Sequence, residues 1–140
     1  GKGKMSKREN QMATIYLSDS DELIIKKLKK AQTVGGPTEP NQEKPDFIQN
    51  LFTLASLVSD AATVEKFEAD YNNCEIRYGD FKKKLGEDIA CFVGPIRDKA
   101  LAIQADKAYL DKIMQLGADK ARESAARTIK SVRASMGINY

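Results

Sequence analysis

The residues best suited to chemistry stand at the front of the chain: Lys2, Lys4, Lys7 and Arg8, with Ser6 among them and Gly1 and Gly3 alongside. The stretch has no apolar periodicity. Cations spaced this closely are poor core material and good partners for an anion such as a phosphate. The string Gly1-Lys2-Gly3-Lys4 lacks the spacing of a Walker loop and the strand that precedes one. Residue types alone therefore leave two readings open, a phosphate-binding loop or a solvated basic leader. Other chemistries are removed outright. With no histidine in 140 residues, there is no Ser/His or Cys/His nucleophile and nothing to complete a zinc site. Cys74 and Cys91 have no metal-ligand spacing and read as two free thiols in a reducing cytosol. No metal site is expected from these side chains, and any chemistry falls to lysines, a bound metal or residues outside the chain.

The elements that must position such a loop follow from length and pattern. A chain of this size buries one hydrophobic core, roughly two thirds of its unfolded surface leaving water. No apolar run approaches the roughly 18 residues of a membrane span, and the basic start continues into a polar stretch instead of a signal sequence. No membrane association and a cytoplasmic location are expected. The net charge of +3 is unevenly spread. Residues 1–30 hold eight cations against four acids, residues 117–140 hold five against two, and the middle is acidic. Basic ends around an acidic middle suit a polyanionic partner.

Ala13-Thr14-Ile15-Tyr16-Leu17 is β-branched and aromatic and reads as extended. Asp19 followed three residues later by Glu22 resembles a capping box. It starts a helix with Leu23, Ile24, Leu28 and Ala31 as its stripe. Lys26, Lys27, Lys29 and Lys30 crowd the other side, either as a solvated face or as phosphate contacts. Residues 34–45, rich in glycine and proline, form a loop. Phe47, Ile48, Leu51, Phe52, Leu54, Ala55, Leu57 and Val58 cover most of the next helix, which should be the buried centre. Thr63 reads as the cap of a short third helix with Val64, Phe67 and Tyr71 inward, ending near Asn72-Asn73. From Asp80 the positions Phe81, Leu85, Ile89, Phe92, Ile96, Ala100 and Ile103 keep helical spacing, with a kink or break expected at Gly94-Pro95. Asp106 caps a further helix carrying Leu110, Ile113 and Met114 to a stop at Gly117. The last helix runs from Asp119 to about Met136, with Ala121, Ala125, Ile129 and Val132 on one face. Together these predict an all-α bundle of five to six helices, divided as 1–19, loop and short extended linker, and 20–140, helical domain.

Lys4-Met5-Ser6-Lys7-Arg8 resembles, in four of five positions, the KMSKS signature of class I aminoacyl-tRNA synthetases. The continuation makes the likeness specific: Ile15-Tyr16-Leu17-Ser18-Asp19, Lys30-Ala31-Gln32-Thr33 and Gly36-Pro37-Thr38-Glu39-Pro40-Asn41. Farther on, Asn50-Leu51-Phe52, Tyr78-Gly79-Asp80-Phe81-Lys82, Pro95-Ile96-Arg97 and Gly117-Ala118-Asp119-Lys120-Ala121-Arg122 are similar to the C-terminal part of bacterial-type tryptophanyl-tRNA synthetases. The resemblance covers nearly the whole chain. In that family a Rossmann-fold catalytic domain, with a HIGH-type signature and the tryptophan pocket, precedes the loop. The chain opens two residues before Gly3-Lys4 and without methionine, so the resemblance implies a C-terminal fragment that lacks the Rossmann domain and is inactive alone.

The resemblance also implies an activity: tryptophan, ATP with Mg2+ and tRNA(Trp) as substrates, the adenylate as intermediate, and a homodimeric intact enzyme. Lys4 and Lys7 map onto the catalytic, phosphate-contacting cations, with no tightly bound cofactor. Ser6 maps onto a hydrogen-bond donor, Met5 onto a packing anchor, and the helical remainder onto the anticodon-binding region. Arg8 stands where the family has serine, adding a guanidinium that either contacts phosphate or obstructs loop closure. Val34 stands where many relatives have aspartate. The alternative reading is a free-standing helical RNA-binding module without catalysis.

Overall fold

A computed structural model describes residues 11–138, and every regular element among them is helical. The loop residues Lys4, Met5, Ser6, Lys7 and Arg8 lie outside the described residues. A 3-10 turn at Gln11–Ala13 precedes α1 (Asp21–Lys29), α2 (Asp46–Val58), α3 (Ala61–Asn72), α4 (Tyr78–Ala105) and α5 (Lys107–Ser135). The extended stretch expected over 13–17 is instead this turn and an irregular connector. Among the described residues there is no strand to pair with these five and take their ladder hydrogen bonds.

Two helix starts differ from the pattern by a few residues. Ser20, not Asp19, caps α1, its hydroxyl accepting from the Leu23 N–H at 3.3 Å. Asp60, not Thr63, caps α3. Its carboxylate accepts from the Thr63 N–H and hydroxyl, both at 2.8 Å, and these bonds hold the Asp60 carboxyl below its usual range. Asp106 caps α5 as expected, accepting from the Tyr109 N–H at 2.9 Å. Neither a break at Gly94-Pro95 nor the stop expected at Gly117 occurs. α4 continues through Gly94-Pro95; the carbonyl that Pro95 leaves without a donor belongs to Cys91, an exposed residue, where water can take the place of the missing bond. α5 continues through Gly117, because one interior glycine costs only about 1 kcal/mol relative to alanine and the flanking residues favour helix.

The chain divides into two compact units, residues 1–97 and 98–140. The first unit holds the core. Phe81 of α4 lies within 4.6 Å of Phe52 of α2 and 4.8 Å of Phe67 of α3, centroid to centroid, and Tyr71 meets Phe52 edge-on at 6.0 Å. Ile24, Leu28, Ile48, Leu51, Leu85 and Ile89 close around them. α2 is central, as its composition predicts, but one-sided: Leu57 is 72% exposed. The glycine- and proline-rich connection is fastened at its end by Lys44, which pairs with Glu68 at 2.6 Å and lies over the rings of Phe52 and Tyr71. Cys74 sits at φ 62 in a Schellman turn closing α3, with Glu75 N–H donating to the Asp70 carbonyl and Cys74 N–H to that of Tyr71.

In the second unit α5 buries none of its residues. Of the apolar positions the periodicity picks out, Ile113, Met114, Ile129 and Val132 are exposed and Leu110 is half-buried. α5 ends in a second Schellman turn with Gly137 at φ 71, a conformation glycine adopts without the Cβ penalty Cys74 bears. Among the described residues no helix is long and apolar enough to cross a membrane.

Candidate functional site

The segment that joins the basic front stretch to α1 is held by one buried cation. Lys27 projects from α1 with its side chain 4% exposed and pairs with Asp19 Oδ2 at 2.5 Å. The same ammonium donates to the Thr14 carbonyl at 2.7 Å and lies 4.8 Å from the Tyr16 ring centroid. Asp19 Oδ2 also accepts from the Tyr16 N–H at 2.8 Å, while the Asp19 N–H donates to the Tyr16 carbonyl at 3.0 Å. Thr14, Tyr16 and Asp19 are thus fixed to a single point on α1. Neither expectation for these residues survives: Asp19 is not the helix cap, and Lys27 is not on the solvated face.

A second fastening comes from α4. Arg97 Nη1 donates to the Asp19 carbonyl at 2.6 Å and Nη2 pairs with the Asp21 carboxylate at 2.9 Å. At the other end of α1, the buried Lys82 donates to the carbonyls of Ala31 at 2.9 Å and Lys29 at 3.4 Å. These carbonyls would otherwise be orphans of the helix terminus. Between the two, Gly86 lets the helices touch: a Cβ there would stand 3.0 Å from Ile25 Cα. Positions 82, 86 and 97 of α4 therefore meet the end, middle and beginning of α1, so the two helices run in opposite directions. α4 fixes α1, and α1 fixes the connector.

Beside this arrangement lies an open cavity of about 620 Å3, lined by Met12, Ile15, Lys27, Leu28, Lys30 and Gln32 among others. Lys26, Lys29 and Lys30 remain exposed on α1, so the proposed phosphate-facing set loses only Lys27. No group of three or more Cys, Asp and Glu side chains able to hold a metal occurs among the described residues. The expected Lys4 and Lys7, and their neighbours Met5, Ser6 and Arg8, lie outside the described residues.

Reading by residue type missed Asp19, Lys27, Lys82 and Arg97. A positional signal existed. Lys27 completes the series 24, 27, 28, 31, one face of a helix, with Ile24 and Leu28 in the core. Lys82 and Arg97 likewise share a face with Leu85, Gly86, Ile89 and Val93. A cation in such a place is either misplaced or paired.

A sequence model of the family described as tRNA synthetases class I (W and Y) matches residues 1–94. A tryptophan–tRNA ligase of Porphyromonas gingivalis is 49% identical over 137 residues, covering 98% of this chain and 41% of that protein. Tryptophan–tRNA ligases of Rickettsia conorii and of a Synechocystis species are 36% and 37% identical, each over 98% of this chain, covering 41% and 40% of their own lengths. The chain thus spans about two fifths of the curated relatives it matches.

Proposed function

This chain belongs to the class I tRNA synthetases of the W and Y family, and from that premise we propose that it is part of a tryptophan–tRNA ligase. The observation that carries this reading is the 49% identity to a protein of that name along 98% of the chain. In the intact protein the tryptophan carboxylate attacks the α-phosphorus of Mg2+-bound ATP, the bond to pyrophosphate breaks, and tryptophanyl-adenylate forms. The terminal ribose hydroxyl of tRNA(Trp) then attacks the adenylate's carbonyl carbon and AMP leaves.

Residues 1–19 supply the phosphate-contacting loop and its linker. Charge grows on the pyrophosphate oxygens as the bond breaks, and the ammoniums of Lys4 and Lys7 stabilise that charge most where it is greatest. Electrostatic positioning of this kind provides most of phosphoryl-type catalysis. Ser6 donates a hydrogen bond to the loop or a phosphate, and Met5 anchors the loop by packing. Arg8 places a guanidinium where the family has a hydroxyl.

Residues 20–140 supply the tRNA-binding region. Lys26, Lys29 and Lys30 on α1 and the cations of α5 offer phosphate contacts whose strength falls with salt. The intact enzyme is a cytoplasmic homodimer. The full-length protein containing this chain is expected to charge tRNA(Trp) with tryptophan in the presence of ATP and Mg2+. Binding of tRNA without charging would instead favour a non-catalytic RNA-binding module.

A further inference from the structure

We infer that Lys27, with Asp19 and Arg97, is a positioning set for the pyrophosphate-releasing step, acting through the backbone of residues 14–19 without touching substrate. The inference rests on the synthetase reading above. Three points of the connector converge on the Lys27 ammonium: the Thr14 carbonyl, the Tyr16 ring and the Asp19 carboxylate. Arg97 then holds Asp19 from the other side through its carbonyl.

Holding α1 in place does not require this pair. Ile24 and Leu28 lie in the core, Gly86 packs against Ile25, and Lys82 closes the far end of the helix. Two charges taken out of water recover their desolvation penalty only in good geometry, and an apolar pair of similar volume does as well or better for stability. What the charged pair supplies is a single arrangement. Sliding the connector by one residue, a displacement of about 3.3 Å, would separate the carboxylate from the Lys27 ammonium.

That arrangement lies close to the proposed catalytic lysines along the chain. Thr14 is seven positions from Lys7, a span of at most about 25 Å even when fully extended. Misplacing a catalytic group by about 1 Å from a distant mutation can cost 100-fold. A connector pinned at 14, 16 and 19 removes that freedom at one end of the segment that carries Lys4 and Lys7.

The test uses the full-length protein and tryptophan-dependent ATP–pyrophosphate exchange. The variant carrying Asp19→Asn and Lys27→Met together replaces the buried charges with neutral groups, while the side-chain amide introduced at position 19 can still accept from the Tyr16 N–H. Its turnover is expected to fall about 10- to 100-fold, with the KM for tryptophan within about twofold of the parent. In a Lys7→Ala background the same pair of changes should cost less than about threefold, because the nearer of the two lysines they position is gone. Arg97→Gln should give a smaller loss with the same dependence on Lys7, and decides the question if the paired variant does not fold. Unchanged turnover, or the same fold-loss with and without Lys7, overturns the positioning role. A parent that shows no exchange with tryptophan overturns the synthetase reading, and this inference with it.

Discussion

Replacing Lys7 by alanine in the full-length protein is expected to slow tryptophan-dependent ATP–pyrophosphate exchange about 100- to 1,000-fold, the usual cost of one preorganised group that meets transition-state charge. Tryptophan binding, measured by equilibrium titration without ATP, should stay within about twofold, because the lysine is assigned to phosphate and not to the amino acid. The distinction follows from where charge develops. Pyrophosphate gains negative charge only as its bond to the α-phosphorus lengthens, so an ammonium placed there acts on turnover. A Lys7→Arg variant keeps the charge but exchanges a compact ammonium for a planar fork, and should recover only part of the rate. Parent-like exchange in Lys7→Ala would remove the role assigned to the front loop.

The largest expected effect on stability comes from Phe81→Ala. Phe81 is 1% exposed and in contact with Phe52 and Phe67 at once, so truncation removes the shared contact of α2, α3 and α4 together. Large-to-small changes of this kind cost about 3–5 kcal/mol where the site cannot collapse. Three helices held by their own loops and caps leave little room for collapse. Urea unfolding of this chain, monitored by far-UV circular dichroism, should show the midpoint falling with little change in slope. A shift equivalent to less than about 1 kcal/mol would put Phe81 in the class of surface substitutions and contradict the aromatic centre described for the first unit.

Much of the architecture could be read from periodicity, since apolar residues at helical spacing mark α1 to α5 and the glycine- and proline-rich 34–45 marks the break between α1 and α2. Phe81, Leu85 and Ile89 are inward as that spacing implies, whereas Phe92, Ile96 and Ile103 on the same series are exposed. Periodicity defines an apolar face but not the length of it that another element covers. α5 makes the same point along its whole length: its stripe is regular and none of it is buried. Caps were legible to within a few residues, because Asp19 and Ser20, or Asp60 and Thr63, all carry oxygens able to accept the first orphan N–H groups. Only the path of the chain decides which one turns inward.

The candidate site was legible in a different way. Lys4-Met5-Ser6-Lys7-Arg8 draws notice through residue types and through resemblance, and both are properties of the sequence. The roles of Asp19, Lys27 and Arg97 escaped notice because each is hydrophilic and each has an ordinary surface explanation nearby. Their roles depend on contacts 8 and 78 positions apart in the chain, and no local window contains both partners. Of the three, Lys27 was the most recoverable, standing on the core-facing series of its own helix. For Asp19 the buried ion pair had to be seen.

Tryptophan, within a family that serves both tryptophan and tyrosine, is the assignment on which the proposed function rests most heavily. The direct measurement is ATP–pyrophosphate exchange by the full-length protein, run side by side with tryptophan and with tyrosine as the only amino acid. The predicted result is exchange with tryptophan and a kcat/KM at least about 100-fold lower with tyrosine. Equal or faster exchange with tyrosine, or exchange with neither, would contradict it.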